Sequence, residues 1–130
     1  MIDERLVEEA KRARANSYAP YSKYFVGAAV LGIDGEIYSG CNVENGSFGL
    51  TICAERSAIS RMVGGGCRRI VAVALCTANL GLPCGMCLQM ILEFAPIPAE
   101  VRVILRDDAG RGKVFTMAEL LPHGFSLVKP

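Results

Sequence analysis

The segments Thr51-Ile52-Cys53-Ala54-Glu55-Arg56 and Pro83-Cys84-Gly85-Met86-Cys87 each open an apolar run at helical spacing, and each brings cysteine to the start of that run. Three thiols in two clusters are one ligand short of the four-coordinate set that closes a structural zinc site, so a fourth position is left for water, as in a catalytic zinc. This pair constrains the fold more than any other feature, because whatever lies between the segments must return two helix starts to one point. Glu55, two residues from Cys53, is too hard an oxygen donor to be needed among thiolates. It is therefore placed to act as proton carrier for a water at the open position.

The intervening sequence suits that demand. A helix is expected from about Ile52 to Val63, with Cys53 in its first turn and Gly64-Gly65-Gly66 as its stop. Arg69 to Cys76 is apolar almost throughout after the arginine, as in a central strand covered on both faces. A second helix follows from about Cys84 to Phe94, with Met86, Met90 and Phe94 on one stripe that reads mostly as core, and Pro96 and Pro98 close it. Upstream, residues 3 to 16 read as an amphipathic helix carrying Leu6, Val7, Ala10 and Ala13 at helical spacing, with Glu8 four residues before Arg12. Val26 to Ile33 and Glu36 to Val43 form a hairpin about Asp34-Gly35. Downstream come a strand from Val101 to Arg106, a turn at Asp107-Asp108-Ala109-Gly110, a strand from Lys113 to Thr116, and a helical turn from Met117 to Leu121. This order predicts one mixed α/β sheet with helices on its faces. Crossover helices are expected to join parallel neighbours, which puts both ligand-bearing helix starts at one end of the sheet.

Bulk properties narrow the function. A chain of 130 residues, 52% of them hydrophobic, reads as one domain over 1–130 with an ample core. The net charge of +1, from 14 Lys plus Arg against 13 Asp plus Glu, supplies no strong field for a nucleic-acid polymer or an anionic membrane, and favours a small neutral substrate. The N-terminus lacks a basic stretch followed by an apolar one, and no run approaches the ~18 apolar residues of a membrane span, so a cytoplasmic location is expected. Six cysteines without a secretion signal favour reduced thiols and metal over disulfides. Cys41, Cys67 and Cys76, outside the motif, read as small apolar residues.

Three further features lie near the metal motif. Tyr18 to Phe25 is an irregular segment holding three tyrosines and a phenylalanine, which either cover the sheet edge or stack on a flat substrate. Asn42 and Glu44 fall on one face at a strand end just before the motif, positioned to hydrogen-bond a ligand hydroxyl. Three thiolates on Zn²⁺ sum to −1, and Arg56, adjacent to Glu55, is the cation placed to offset that charge by donating to the sulfurs. Helix N-termini favour the thiolate form in the same way. A water activated at this centre and attacking a ring carbon that bears an exocyclic amine would release ammonia and leave a carbonyl, with Glu55 carrying the proton to the ring nitrogen and the amine.

Tyr18-x-Pro20-Tyr21-Ser22, Val26-Gly27-Ala28-Ala29, Asn42-Val43-Glu44-Asn45, Cys53-Ala54-Glu55-Arg56, Pro83-Cys84-Gly85-x-Cys87-x-Gln89 and Glu119-Leu120-Leu121-Pro122 together resemble the small homotetrameric cytidine deaminases, in order and across nearly the whole chain. The resemblance implies a three-layer α/β/α sandwich with a five-stranded mixed sheet and one zinc per subunit on Cys53, Cys84 and Cys87. It also implies hydrolysis of cytidine and deoxycytidine, with Glu55 catalytic, Asn42 and Glu44 on the ribose hydroxyl, and the Ala54 backbone and Glu55 on the pyrimidine edge. Tyr24 falls among the substrate-binding residues, and Phe125 is expected to stack on the base bound by a neighbouring subunit. The chain departs from the family where Tyr24 and Phe25 replace Phe then Pro, Phe48 replaces Tyr and Leu88 replaces Arg, departures that bear on substrate range. At position 88 either Arg56 carries more of the burden of offsetting the sulfur charge, or Leu88 only packs the helix and the usual arginine serves a subunit contact. The rival expectations are a blasticidin-type deaminase or a deaminase of another aminated nucleoside, and a non-catalytic protein in which zinc only staples two helices.

Overall fold

The computed structural model describes residues 1–127. Helix α1 (Ile2–Arg14) leads to strands β1 (Gly27–Gly32) and β2 (Ile37–Cys41), then to α2 (Ala54–Gly64), β3 (Ile70–Cys76), α3 (Gly85–Glu93), β4 (Arg102–Arg106), β5 (Gly112–Thr116) and α4 (Met117–Leu120). The expected elements are all present, with ends shifted by a residue or two. Local chemistry accounts for several boundaries. Gly35 takes φ +82° in the hairpin turn, a left-handed conformation that glycine adopts without a Cβ clash, and Asp34 Oδ1 accepts from the Glu36 amide at 3.0 Å. A capping box opens α4: Thr116 accepts from the Glu119 amide at 3.2 Å, while Glu119 accepts from the Thr116 amide at 2.8 Å. On α1 the expected Glu8–Arg12 pair does not form; Arg12 Nη1 reaches Glu9 at 2.9 Å and Lys11 takes Glu8 at 3.8 Å.

Alternation along the strands divides the core into two layers. Ala29, Leu31, Ala72, Ala74, Cys76 and Ile104 face α1, which buries Leu6, Val7 and Ala10 against them. The small residues on this face let the helix sit close: a Cβ on Gly27 would lie 2.0 Å from the Ala10 carbonyl oxygen. Val30, Val73, Leu75, Val103 and Leu105 face the other way, beneath Ile59 and Met62 of α2, Ile91 of α3 and Met117 of α4. Each such fully buried side chain contributes on the order of 1.5–3 kcal/mol. Cys67 and Cys76 are buried as small apolar side chains, Cys41 is half-buried, and none of the three joins the metal cluster. Met86 departs from expectation: it is 64% exposed, because it follows Gly85 on the first turn of α3 and points away from the sheet, whereas Met90 and Phe94 pack on the core.

The strand order is β2-β1-β3-β4-β5. Strand β1 pairs antiparallel with both β2 and β3, β3 pairs parallel with β4, and β5 closes the edge antiparallel to β4. The expectation that both crossover helices join neighbours therefore holds for α3 and fails for α2. Helix α2 connects β2 to β3 across β1, because the hairpin folds β1 inward between them. Since β2 and β3 are each antiparallel to β1 they still run the same way, so α2 and α3 begin at the same end of the sheet. Gly40 lets α2 sit tightly over β2, as a Cβ there would come 2.6 Å from the Ala58 amide nitrogen.

Candidate metal centre and active site

The sulfurs of Cys53, Cys84 and Cys87 lie within 4.8 Å of one another. In a tetrahedral zinc site with bonds of about 2.3 Å, ligand sulfurs sit roughly 3.8 Å apart, so small side-chain rotations suffice to close this set on one ion. Three thiols with no fourth donor grouped with them among the described residues fit zinc with one position open. Cys53 is the N-cap of α2, with φ −73° and ψ 154°, and Cys84 is the N-cap of α3, with φ −69° and ψ 168°. Both therefore stand just outside the helices, one step earlier than the first-turn placement expected for Cys53. Their carbonyls accept the first helical bonds, from Ser57 at 3.0 Å and Leu88 at 2.9 Å, and their sulfurs lie in the positive field of the unpaired amides.

Arg56 lies beside the cluster: its Nη2 donates to the Thr51 carbonyl at 3.1 Å and to Cys53 Sγ at 3.7 Å. The hydrogen bond from Cys87, assisted by Arg56, brings the Cys53 thiol down to about 5. Cys87, the donor in that bond and buried beside Glu55, is pushed up. Opposite displacements are what one negative charge shared between neighbouring sulfurs produces. Leu88, next to Cys87 in α3, packs partly buried on the core.

Cys53, Cys84 and Glu55 open into one pocket of about 260 Å³, whose walls include Tyr24, Asn42, Glu44 and Leu82. Glu55, in the first turn of α2, is only 4% exposed, and burial, the dominant cause, pushes its carboxyl up to about 7. A carboxyl in that range both takes and returns a proton near neutral pH. Ala54, fully buried, lines the same pocket.

The remaining expected residues divide by how they are held. Asn42 Oδ1 accepts from the Val26 amide at 3.0 Å and its Nδ2 donates to the Tyr24 carbonyl at 2.8 Å, so this side chain spends two of its bonds fixing the aromatic segment. Glu44 accepts from the Tyr21 amide at 3.0 Å, from the Ser22 amide at 3.1 Å and from the Ser22 hydroxyl, and the last of these leads in holding its carboxyl below the usual range. Of the aromatic segment, Tyr24 reaches the pocket, while Tyr21 stands edge-on to Phe48 at 6.2 Å outside it. Phe125 does not enter its own chain's pocket: it is 67% exposed, and its backbone is held by Gln89, which donates to its carbonyl at 2.6 Å and accepts from its amide at 3.0 Å. Ser22, Thr51, Thr77, Gly81 and Leu82 also line the pocket and were not singled out by sequence. The sole signal for the last three is a polar, glycine-bearing run between β3 and Pro83, which marks a loop but not what it touches.

Comparison with known proteins agrees with this geometry. The family model for the cytidine and deoxycytidylate deaminase zinc-binding region matches residues 1–103. The chain is 44% identical to a cytidine deaminase of Sporosarcina psychrophila, over 95% of this chain and 90% of that one, and 42% identical to one of Halalkalibacterium halodurans, over 97% and 96%. Its fold superposes on the crystal structure of cytidine deaminase from Burkholderia pseudomallei with a TM-score of 0.89 at 40% identity, covering 96% of this chain and all of that one. The corresponding structure from Mycobacterium tuberculosis gives 0.82 at 35% identity, covering 98% and 99%.

Proposed function

Because the chain belongs to the cytidine and deoxycytidylate deaminase family, we propose that it hydrolyses cytidine and deoxycytidine to uridine and deoxyuridine with release of ammonia, using one zinc per chain. The observation that carries this reading is the buried Glu55 carboxyl in the same pocket as the cysteine cluster. When bound, zinc supplies a Lewis acid that lowers the pKa of water toward neutrality. Cys53, Cys84 and Cys87 hold it, and Arg56 offsets part of their charge. Glu55 moves one proton from the attacking water to the ring nitrogen, and then a second, from the hydroxyl formed on the ring carbon, to the leaving amine. The Ala54 backbone and Glu55 read the pyrimidine edge, Asn42 and Glu44 take the ribose hydroxyl, and Tyr24 walls the pocket. Water adds to the ring, ammonia leaves, and atoms balance without a redox partner.

Residues 1–130 act as one domain in this reading, in the cytoplasm, within pyrimidine salvage. Among the described residues no helix is long and apolar enough to cross a membrane. The exposed Phe125, held by Gln89 and outside its own pocket, supports a homotetramer in which it stacks on the base bound by a neighbour. Size-exclusion chromatography with light scattering is expected to give four chains, and a stable, fully active monomer would contradict the arrangement.

Metal analysis with the absorbance change on incubation with cytidine tests the reaction itself. One zinc per chain and turnover are expected. One zinc per chain without turnover of any aminated base or nucleoside would leave the non-catalytic zinc protein instead, and turnover confined to blasticidin S would reassign the substrate.

A further inference from the structure

Two irregular segments face each other across the pocket mouth. One joins α1 to β1 and contributes Ser22, Tyr24 and Val26; the other joins β3 to α3 and contributes Thr77, Gly81 and Leu82 before delivering Cys84. Among the described residues a single side-chain hydrogen bond joins them, from the Tyr24 hydroxyl to Asn79 Oδ1 at 2.7 Å. We infer that this bond is a clasp that sets the width of the nucleoside pocket, making Asn79 a positioning residue for substrate binding, an inference that rests on the deaminase reading above.

The loop is shaped to receive the tyrosine. A Cβ on Gly81 would lie 2.1 Å from the Tyr24 hydroxyl oxygen, so the glycine leaves the room that the hydroxyl occupies. The Gly81 amide donates to Thr77 Oγ1 at 2.9 Å, which closes the loop on itself. Leu80 takes φ +60°, in the left-handed region that a residue with a side chain rarely adopts, and its partly buried side chain packs against the core. The loop is therefore anchored in the core at Leu80 and tied across the pocket at Asn79. On the opposite side, Tyr24 is fixed to Asn42 directly and to Glu44 through Ser22. Its carbonyl accepts from Asn42, and its amide donates at 3.0 Å to Ser22 Oγ, which in turn donates to Glu44. The hydroxyl of Tyr24 thus completes a run of bonds from Asn42 and Glu44 to the segment carrying Cys84. A phenylalanine at this position would keep the ring and lose the tie.

In the zinc-loaded protein, Asn79→Ala is expected to raise KM for cytidine about threefold to fivefold, the loss of one partly exposed hydrogen bond, with kcat held within about twofold and one zinc per chain retained. Asn79→Asp keeps the acceptor and is expected to hold KM near wild type. Tyr24→Phe should raise KM as Asn79→Ala does, and the double variant no further, since both remove the same bond. An unchanged KM in Asn79→Ala, even with a lowered Tm, or effects that multiply in the double variant, would overturn the clasp. Amide hydrogen exchange over residues 77–82 in the same zinc-loaded proteins, read without substrate, is expected to quicken in Asn79→Ala. Should the wild-type protein deaminate no nucleoside, the deaminase reading fails on that result alone, and unchanged exchange is then the finding that overturns the clasp.

Discussion

Glu55→Gln is expected to retain zinc and fold while lowering kcat by about 10²-fold or more. The amide has the shape of the carboxyl and fills the same buried first turn of α2, so packing against the pocket floor changes little. What it lacks is a proton to give or a site at which to take one. The simplest competing role is that of a fourth metal ligand, although the cluster that gathers within 4.8 Å consists of three sulfurs and no carboxylate. Metal analysis of the variant therefore separates the two. Zinc content at the wild-type level with activity lost supports proton transfer; zinc lost along with activity would make Glu55 a ligand, and full activity would remove it from the mechanism.

Removing a sulfur should act through the metal instead. Cys84 is exposed at the N-cap of α3, so Cys84→Ala costs little in packing, and any large destabilisation must come from lost zinc binding. A site that binds only the folded chain stabilises it by about 2.7 kcal/mol when the ion is at a hundredfold excess over its dissociation constant. Losing that amount lowers Tm by roughly 10 °C for a chain of this size. Expected, then, are loss of zinc, loss of turnover and a Tm close to that of wild-type protein stripped with a chelator. After stripping, the two proteins should unfold together. A Cys84→Ala protein that keeps one zinc per chain would remove Cys84 from the ligand set.

The chemistry was legible in the sequence because it depends on short spacings. Cys53 and Glu55 share one helix start, and Cys84 and Cys87 share another, so each pair's geometry is fixed by local helix formation before any tertiary contact is made. The hairpin turn at Asp34-Gly35 and the two-faced burial of β3 were equally local, set by backbone conformation and side-chain period. Tertiary structure decided what joins distant segments. The insertion of β1 between β2 and β3 depends on hydrogen bonds between strands far apart in the chain, which no local preference encodes, and it alone makes α2 cross a strand rather than join neighbours. The choice of Glu9 over Glu8 by Arg12 rests on side-chain geometry that spacing leaves open. Asn42 and Glu44 were legible as a polar pair, yet their grip on the Tyr21–Val26 backbone was not, since it requires the aromatic segment to fold back over the strand end. The contact of Tyr24 with Asn79 over Gly81 arises for the same reason: two loops without regular structure meet only because the sheet and its helices hold their ends at one place.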